Sequence, residues 1–286
     1  MNYYHLNLGN TCNQKCGFCL VNGGKGYMLS FKEAREKLQR ARRQEAIFLG
    51  IDGGEPTIAP YFPELIEESF LLGFKKIAIK TNGTGFSHYH LARKSLARQK
   101  ENITIYLSLH GPSAEIHDKL VSERGGFGRA LKAIQNLNKL GVRVICNLVV
   151  CSSNFLYLKE YIGLLNRLHI QETIFLFIIP KGRALKHSYL IPRIEDTLPF
   201  IKQAIDYANN LGIKVSLTFY PFCILGKYKN KTVEYHIKTD LNSFDQLYRD
   251  KYFARECQDC LYAKNCPRVW KKYIKFYPFV FAPNYK

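Results

Sequence analysis

Cys12, Cys16 and Cys19 fall on one short stretch, separated by three and two residues, with Phe18 just before the last. Three thiolates on a single loop can hold three irons of a four-iron cubane. The fourth iron then keeps an open position, and open positions mark catalytic rather than structural metal sites. Two other readings use the same residues. One is a zinc site with His5 as fourth ligand. The other is a disulfide framework, disfavoured by an odd count of nine cysteines and by the signal peptide that is not expected here. A second stretch, Gly53-Gly54-Glu55-Pro56, follows the apolar run Ala46-Ile47-Phe48-Leu49-Gly50-Ile51, which reads as a buried strand. It therefore sits at a strand's C-terminal end, where α/β folds gather ligands.

The stretch Cys12-Asn13-Gln14-Lys15-Cys16-Gly17-Phe18-Cys19 resembles the C-x3-C-x-aromatic-C signature of the radical S-adenosylmethionine (SAM) superfamily and matches it without departure. Gly53-Gly54-Glu55 is similar to that family's second motif. The resemblance implies a [4Fe–4S] cluster whose open iron is chelated by the amino and carboxylate groups of SAM. It implies reductive cleavage of SAM to methionine and a 5′-deoxyadenosyl radical that abstracts hydrogen from a substrate. It also implies a reducing partner such as flavodoxin or ferredoxin. Such a protein positions its cofactors and excludes water while they do the hard chemistry.

The same resemblance suggests SAM contacts. Gly53, Gly54 and Glu55 resemble the stretch that receives the methionine amino group. A carboxylate suits an ammonium, and glycines permit close backbone approach. Phe18 resembles the aromatic position beside adenine. Thr81 and Ser108 match polar positions that face SAM in related enzymes, and Asn147 is a polar residue in an otherwise apolar strand. Arg124 resembles an arginine that pairs with the SAM carboxylate. Each has a plainer reading: an ordinary strand hydrogen bond for Thr81, Ser108 and Asn147, a surface ion pair for Arg124.

These residues need a frame. Strands are predicted at Tyr3–Leu8, through Asp52, and at Lys75–Lys80, Ile103–Leu109, Val142–Val150 and Thr173–Ile179, with a further one at Ile213–Phe219. Helical patterns lie between them: Ser30–Arg43 with a Ser30/Glu33 capping box, Pro63–Gly73, Leu91–Gln99, Arg129–Leu140, Leu158–Leu168 and Leu198–Asn210. Repeated βα units imply a parallel sheet with helices outside. Six units are too few for the eight-fold barrel. The resemblance implies a partial, open (β/α)6 barrel over residues 1–219, followed by a small cysteine-rich extension over residues 220–286. A doubly wound open sheet is the alternative.

That extension holds Cys223 and the run Cys257-x2-Cys260-x5-Cys266. Four such cysteines suit a tetrahedral sulfur site, for zinc or for iron–sulfur. The run resembles the auxiliary-cluster extensions called SPASM and Twitch. It departs from the full SPASM pattern, having no cysteine four residues after Cys266, which argues for one auxiliary [4Fe–4S] cluster. Cys146 reads as a small core residue. Cys151 lies near the catalytic end of its strand, where a hydrogen-donor role is a minor alternative.

With 47% hydrophobic residues the chain is globular, and no apolar stretch approaches a membrane span. The expected location is the cytoplasm. A net charge of +19 points to an anionic partner or to a lysine-rich solvated surface. Near the C-terminus Lys264, Arg268, Lys271, Lys272, Lys275 and Lys286 interleave with Trp270, Tyr273, Phe276, Tyr277, Phe279, Phe281 and Tyr285. Such a tail can grip single-stranded RNA, or its aromatics can pack the extension onto the barrel. The expected function is radical SAM modification of a peptide or protein. The alternatives are tRNA modification and, in another class, a non-catalytic iron–sulfur electron carrier or a zinc-bearing binding module.

Overall fold

In the computed structural model the described residues are 2–21, 26–237 and 250–279; Phe281, Tyr285 and Lys286 lie outside them. Alternating apolar patterns form β1 (Tyr3–Asn7), β2 (Phe48–Asp52), β3 (Lys76–Thr81), β4 (Ile103–Ser108), β5 (Arg143–Val150), β6 (Glu172–Phe177) and β7 (Lys214–Thr218). The strands pair in chain order, each parallel to the next. β1 and β7 stay at opposite edges, so the barrel is open, as expected. The seventh strand is the further one predicted after the sixth unit.

The crossovers are α1 (Phe31–Arg43), α2 (Phe62–Leu71), α3 (Tyr89–Leu96), α4 (Ala114–Val121), α5 (Gly126–Leu140), α6 (Leu158–Arg167), α7 (Arg183–Lys186) and α8 (Ile194–Asn210). The Ser30/Glu33 capping box starts α1: Glu33 N–H donates to Ser30 Oγ, and the Ser30 N–H donates to the Glu33 carboxylate at 2.7 Å. Gly141 stops α5 in a left-handed conformation at φ +72°.

Period-two alternation divides each strand into two faces. Leu6, Ile51, Ile79, Ile105, Leu107 and Leu148 are buried in the core cluster shared with the helices. His5, Asp52, Lys80, Tyr106, Ser108 and Asn147 point to the other, concave face. A closed eight-fold barrel fills its centre with layers of Val, Ile and Leu. This one keeps cavities of about 320 and 280 Å³ there, both touched by Lys80.

The C-terminal segment closes over β6 and β7. Trp270, which leads into α9 (Lys271–Phe276), and Tyr273 within it are buried. Tyr273 Oη accepts a hydrogen bond from Ile194 N–H at 2.7 Å, and Tyr277 Oη donates to the Ile191 carbonyl at 3.0 Å. These aromatics pack the extension onto the barrel, so neither Trp270 nor Tyr273 presents a face on which a base can stack.

Candidate active site

The cysteine loop is held by its backbone. Lys15 N–H donates to Val121 O at 3.0 Å and Gly17 N–H to Leu120 O at 2.9 Å, both at the end of α4. On its other side Arg183 N–H donates to Cys19 O at 3.0 Å. Gly182 must be glycine there: it sits at φ +56°, and a Cβ would fall 2.4 Å from the Cys19 carbonyl oxygen. Burial pushes the Cys12 thiol up and the Cys16 thiol up to about 12. Such thiols keep their protons until a metal displaces them.

The Gly53-Gly54-Glu55 turn is stitched to the same loop. Gly54 N–H donates to Gly9 O at 2.8 Å and Glu55 N–H to Thr11 O at 2.9 Å. A Cβ on Gly54 would lie 1.9 Å from Thr11 O. Here the glycines serve the approach of two loops. The Glu55 carboxylate is already engaged inside the protein. One carboxylate oxygen accepts from Thr57 N–H (3.0 Å), Thr57 Oγ1 (2.5 Å) and Thr81 Oγ1 (2.6 Å), the other from Asn82 N–H at 2.7 Å. Four donors inside the protein satisfy it, so the side chain does not stand free for an ammonium. Burial raises this carboxyl, while the donated bonds pull it back down.

Cys12, Cys16, Cys19, Phe18, Gly53, Gly54, Glu55, Thr81, Ser108 and Asn147 all line the 320 Å³ cavity. Ser108 and Asn147 are register partners on β4 and β5. The Asn147 Oδ1 and Gln14 Nε2 atoms are buried at this cavity without a partner. Orphaned amide groups suit a ligand with both donors and acceptors. Those groups, three thiols and a room of this size fit the cluster and SAM that the cysteine pattern implies.

Arg124 is not brought in. It is exposed on the turn before α5, where its carbonyl accepts from Arg129. The guanidinium beside the cysteines is that of Arg183, which reaches Cys16 O at 3.4 Å and pulls the Cys12 and Cys16 thiols downward. Sequence reasoning missed it because it lies far along the chain, after β6. It also missed Asn82, whose side chain donates to Asn13 Oδ1 at 2.9 Å, and His110. His110 lies two residues beyond Ser108, an available signal in a period-two strand. His5, weighed as a zinc ligand, instead meets Asp52 at 2.6 Å on the concave face.

His110 packs edge-on to Phe18, with ring centroids 4.8 Å apart. Its Nδ1 accepts from Val149 N–H, so the neutral ring carries its proton on Nε2. His117 stacks on it, and His117 Nδ1 accepts from His110 N–H at 3.0 Å. Burial lowers both, His110 well below its usual range and His117 from 6.5 to about 4. An unfolded histidine binds a proton near pH 6.5 and the folded His117 does not, so stability falls as pH drops through that window. The loss from His117 is about 3 kcal/mol, complete below pH 4. Urea midpoints should therefore fall from pH 7 to 4.5, and less steeply in His117→Asn, whose amide oxygen still accepts from His110. Equal slopes in the two proteins would refute the assignment.

Cys223, Cys257, Cys260 and Cys266 line one small cavity with Phe222, Tyr262 and Arg268. Burial pushes the Cys266 thiol up to about 12, and the neighbouring Cys223 and Cys257 add to it, while the N–H groups of Phe222 and Arg268 oppose it. Among the described residues no three His, Cys, Asp or Glu side chains converge tightly enough to grip a bare ion. A four-iron cluster asks for less convergence, because each thiolate binds its own iron. Cys146 and Cys151 are buried in the core and line neither cavity.

Among the described residues no helix is long and apolar enough to cross a membrane. The mycofactocin maturase MftC of Mycobacterium tuberculosis is 29% identical over 162 residues, 55% of this chain and 40% of that protein. The AdoMet-dependent heme synthase of Oleidesulfovibrio alaskensis is 23% identical over 74% of this chain and 54% of its own. The chain thus spans about half the length of these curated relatives. Streptococcus suis SuiB bound to precursor peptide SuiA matches with a TM-score of 0.64 at 19% identity, over 87% of this chain and 56% of that one. The anSMEcpe structure with bound AdoMet and a Kp18Cys peptide gives 0.62 at 20% identity, over 74% and 63%. Residues 6–165, more than half the chain, match the family model of the Radical SAM superfamily, and they contain both stitched loops of the cavity. The chain belongs to that superfamily.

Proposed function

We propose that this protein is a SAM-dependent radical enzyme that modifies a peptide or protein and carries one auxiliary [4Fe–4S] cluster. The observation that carries the reading is the cysteine loop stitched to the Gly53-Gly54 turn around a cavity with orphaned amide groups. Cys12, Cys16 and Cys19 would hold the first cluster. Gly53, Gly54, Ser108 and Asn147, with Phe18 beside them, would hold SAM. Together these groups would supply a 5′-deoxyadenosyl radical. The chain's own part is positional. Glu55 fixes Thr57, Thr81 and Asn82; Asn82 fixes Asn13 in the cysteine loop. Substrate enters on the polar concave face.

Two similar proteins support the peptide reading: SuiB was seen with a precursor peptide and anSMEcpe with a peptide. Burial of Trp270 and Tyr273 takes two of the tail's aromatics from the tRNA reading and leaves it the exposed Phe276 and the basic charge. Residues 1–219 are read as the core and 220–286 as the extension, whose Cys223, Cys257, Cys260 and Cys266 would bind the auxiliary cluster. A reduced flavodoxin or ferredoxin would deliver the electron.

The test is iron content together with 5′-deoxyadenosine formation by the anaerobically reconstituted protein. Wild type should hold about eight irons per chain, falling to about four in Cys257→Ala/Cys260→Ala. Abortive SAM cleavage should survive that change. Zinc in place of the missing four irons would overturn the auxiliary-cluster reading.

A further inference from the structure

A second room opens on the concave face beside the cysteine-lined cavity. It measures about 280 Å³, and Tyr3, His5, Gly50, Ala78, Lys80 and Tyr106 line it. Lys80 borders both rooms. Small residues make the space: Gly50 is the register partner of Ala78. A Cβ on Gly50 would fall 1.8 Å from Tyr3 Oη, so the missing side chain leaves the place in which that hydroxyl lies.

The chamber is rich in donors and short of free acceptors. Lys80 brings an ammonium, and Tyr3 and Tyr106 bring hydroxyls. Among the described residues neither hydroxyl is bonded to a protein group. Burial pushes both phenols up, helped at Tyr3 by the nearby Asp52, so they stay protonated donors at neutral pH. Asp52, beside Lys80 in the neighbouring cavity, is already engaged: Oδ2 meets His5 Nε2 at 2.6 Å and Oδ1 accepts from Asn7 Nδ2 at 3.4 Å. Lys80 Nζ stands 3.4 Å from Oδ2, longer than the 2.7–2.9 Å of a strong charge-assisted bond. Lys80 can therefore turn to a ligand without stranding Asp52, which keeps His5. Glu172, the other acid on this face of the strands, is shared between Arg143 and Lys214. Lys76, two positions before Ala78 on β3, adds a further cation to the same face. A recess lined by a surplus of one charge focuses its field on what enters.

We propose that this chamber is a recognition subsite for an acidic side chain, aspartate or glutamate, of the substrate, with Lys80 pairing to its carboxylate and the Tyr3 and Tyr106 hydroxyls donating beside it. The proposal rests on the peptide reading above and names the residue type that the peptide must present. Because Lys80 borders both cavities, the acidic residue is fixed next to the room that the cysteines line. Lys80 thus sets specificity.

The experiment pans a phage-displayed random heptapeptide library, anaerobically, on the reconstituted full chain with SAM. Wild type should enrich Asp or Glu at one position. Lys80→Glu should lose that enrichment, and Lys132→Glu, an exposed change on α5, should keep it. The peptide selected most often is then made synthetically. Lys80→Gln should raise its Kd roughly tenfold or more, and so should replacing its acidic residue by the matching amide. The two changes together should cost little more than either alone, as for groups that act on each other. Lys80→Gln should unfold at the wild-type urea concentration, since the side chain is 60% exposed.

An acidic preference that survives Lys80→Glu, or selected peptides that carry none, overturns the subsite and leaves the peptide reading in place. Additive losses in the paired comparison do the same. A wild type that forms 5′-deoxyadenosine yet enriches no peptide refutes the peptide reading, and the subsite with it.

Discussion

On the proposed function, SAM cleavage should fall below detection, by more than about a thousandfold, when Cys12, Cys16 and Cys19 are all replaced by alanine. That corresponds to over 4 kcal/mol of lost barrier reduction. No other thiol can stand in. Cys146 and Cys151 are sealed in the core, and the remaining four cysteines line a separate cavity. The loop itself should persist, because Lys15 N–H and Gly17 N–H anchor it to Val121 and Leu120 whatever the side chains at 12, 16 and 19. Iron should therefore drop from about eight to about four per chain, leaving the auxiliary site filled. The measurements are 5′-deoxyadenosine yield and iron per chain. Retained cleavage in the triple variant would refute the placement of chemistry at this loop.

Glu55→Ala and Glu55→Gln should each cost about 3 kcal/mol or more. The carboxylate accepts four hydrogen bonds in a buried place, and bonds to a charged acceptor contribute roughly 1.5–3 kcal/mol each. Alanine strands Thr57, Thr81 and Asn82 without their acceptor. Glutamine restores volume but turns an N–H2 group toward at least one donor. The damage should spread to the cysteine loop, since Asn82 holds Asn13, and both variants should rebuild their first cluster poorly. Urea unfolding of the metal-free chain measures the first effect and iron after reconstitution the second. A Glu55→Gln protein as stable as wild type would return the carboxylate to a purely ligand-facing role.

Most of the frame was legible because local patterns and tertiary packing agree. The Ser30 cap, the Gly141 stop and the run Phe48–Ile51 each carry their own signal, and the structure uses all three. α4 was not legible. It is short, its Ser113 makes no side-chain cap, and it buries only His117, Leu120 and Val121. α8 begins at Ile194 rather than at the predicted Leu198, with Pro199 inside it, against the usual reading of proline as a boundary. The cysteines and glycines of the site were visible from spacing alone. The occupation of Glu55 was not, because Thr81 and Asn82 come from the next strand. Nor was Arg183, which reaches the cysteine loop only once β6 has been laid beside β5.

The two faces of the sheet answer to different demands. Residues that hold the helices down, such as Ile79, Ile105 and Leu148, are locked by packing on every side. Residues on the concave face, such as Tyr3, His5 and Lys80, stand partly in water, and their exchange removes little buried contact. Selection can therefore rewrite the concave face while the helix-facing one stays fixed. A lineage built on this scaffold can change what it accepts without first acquiring spare stability, and its members should diverge fastest where the substrate lies.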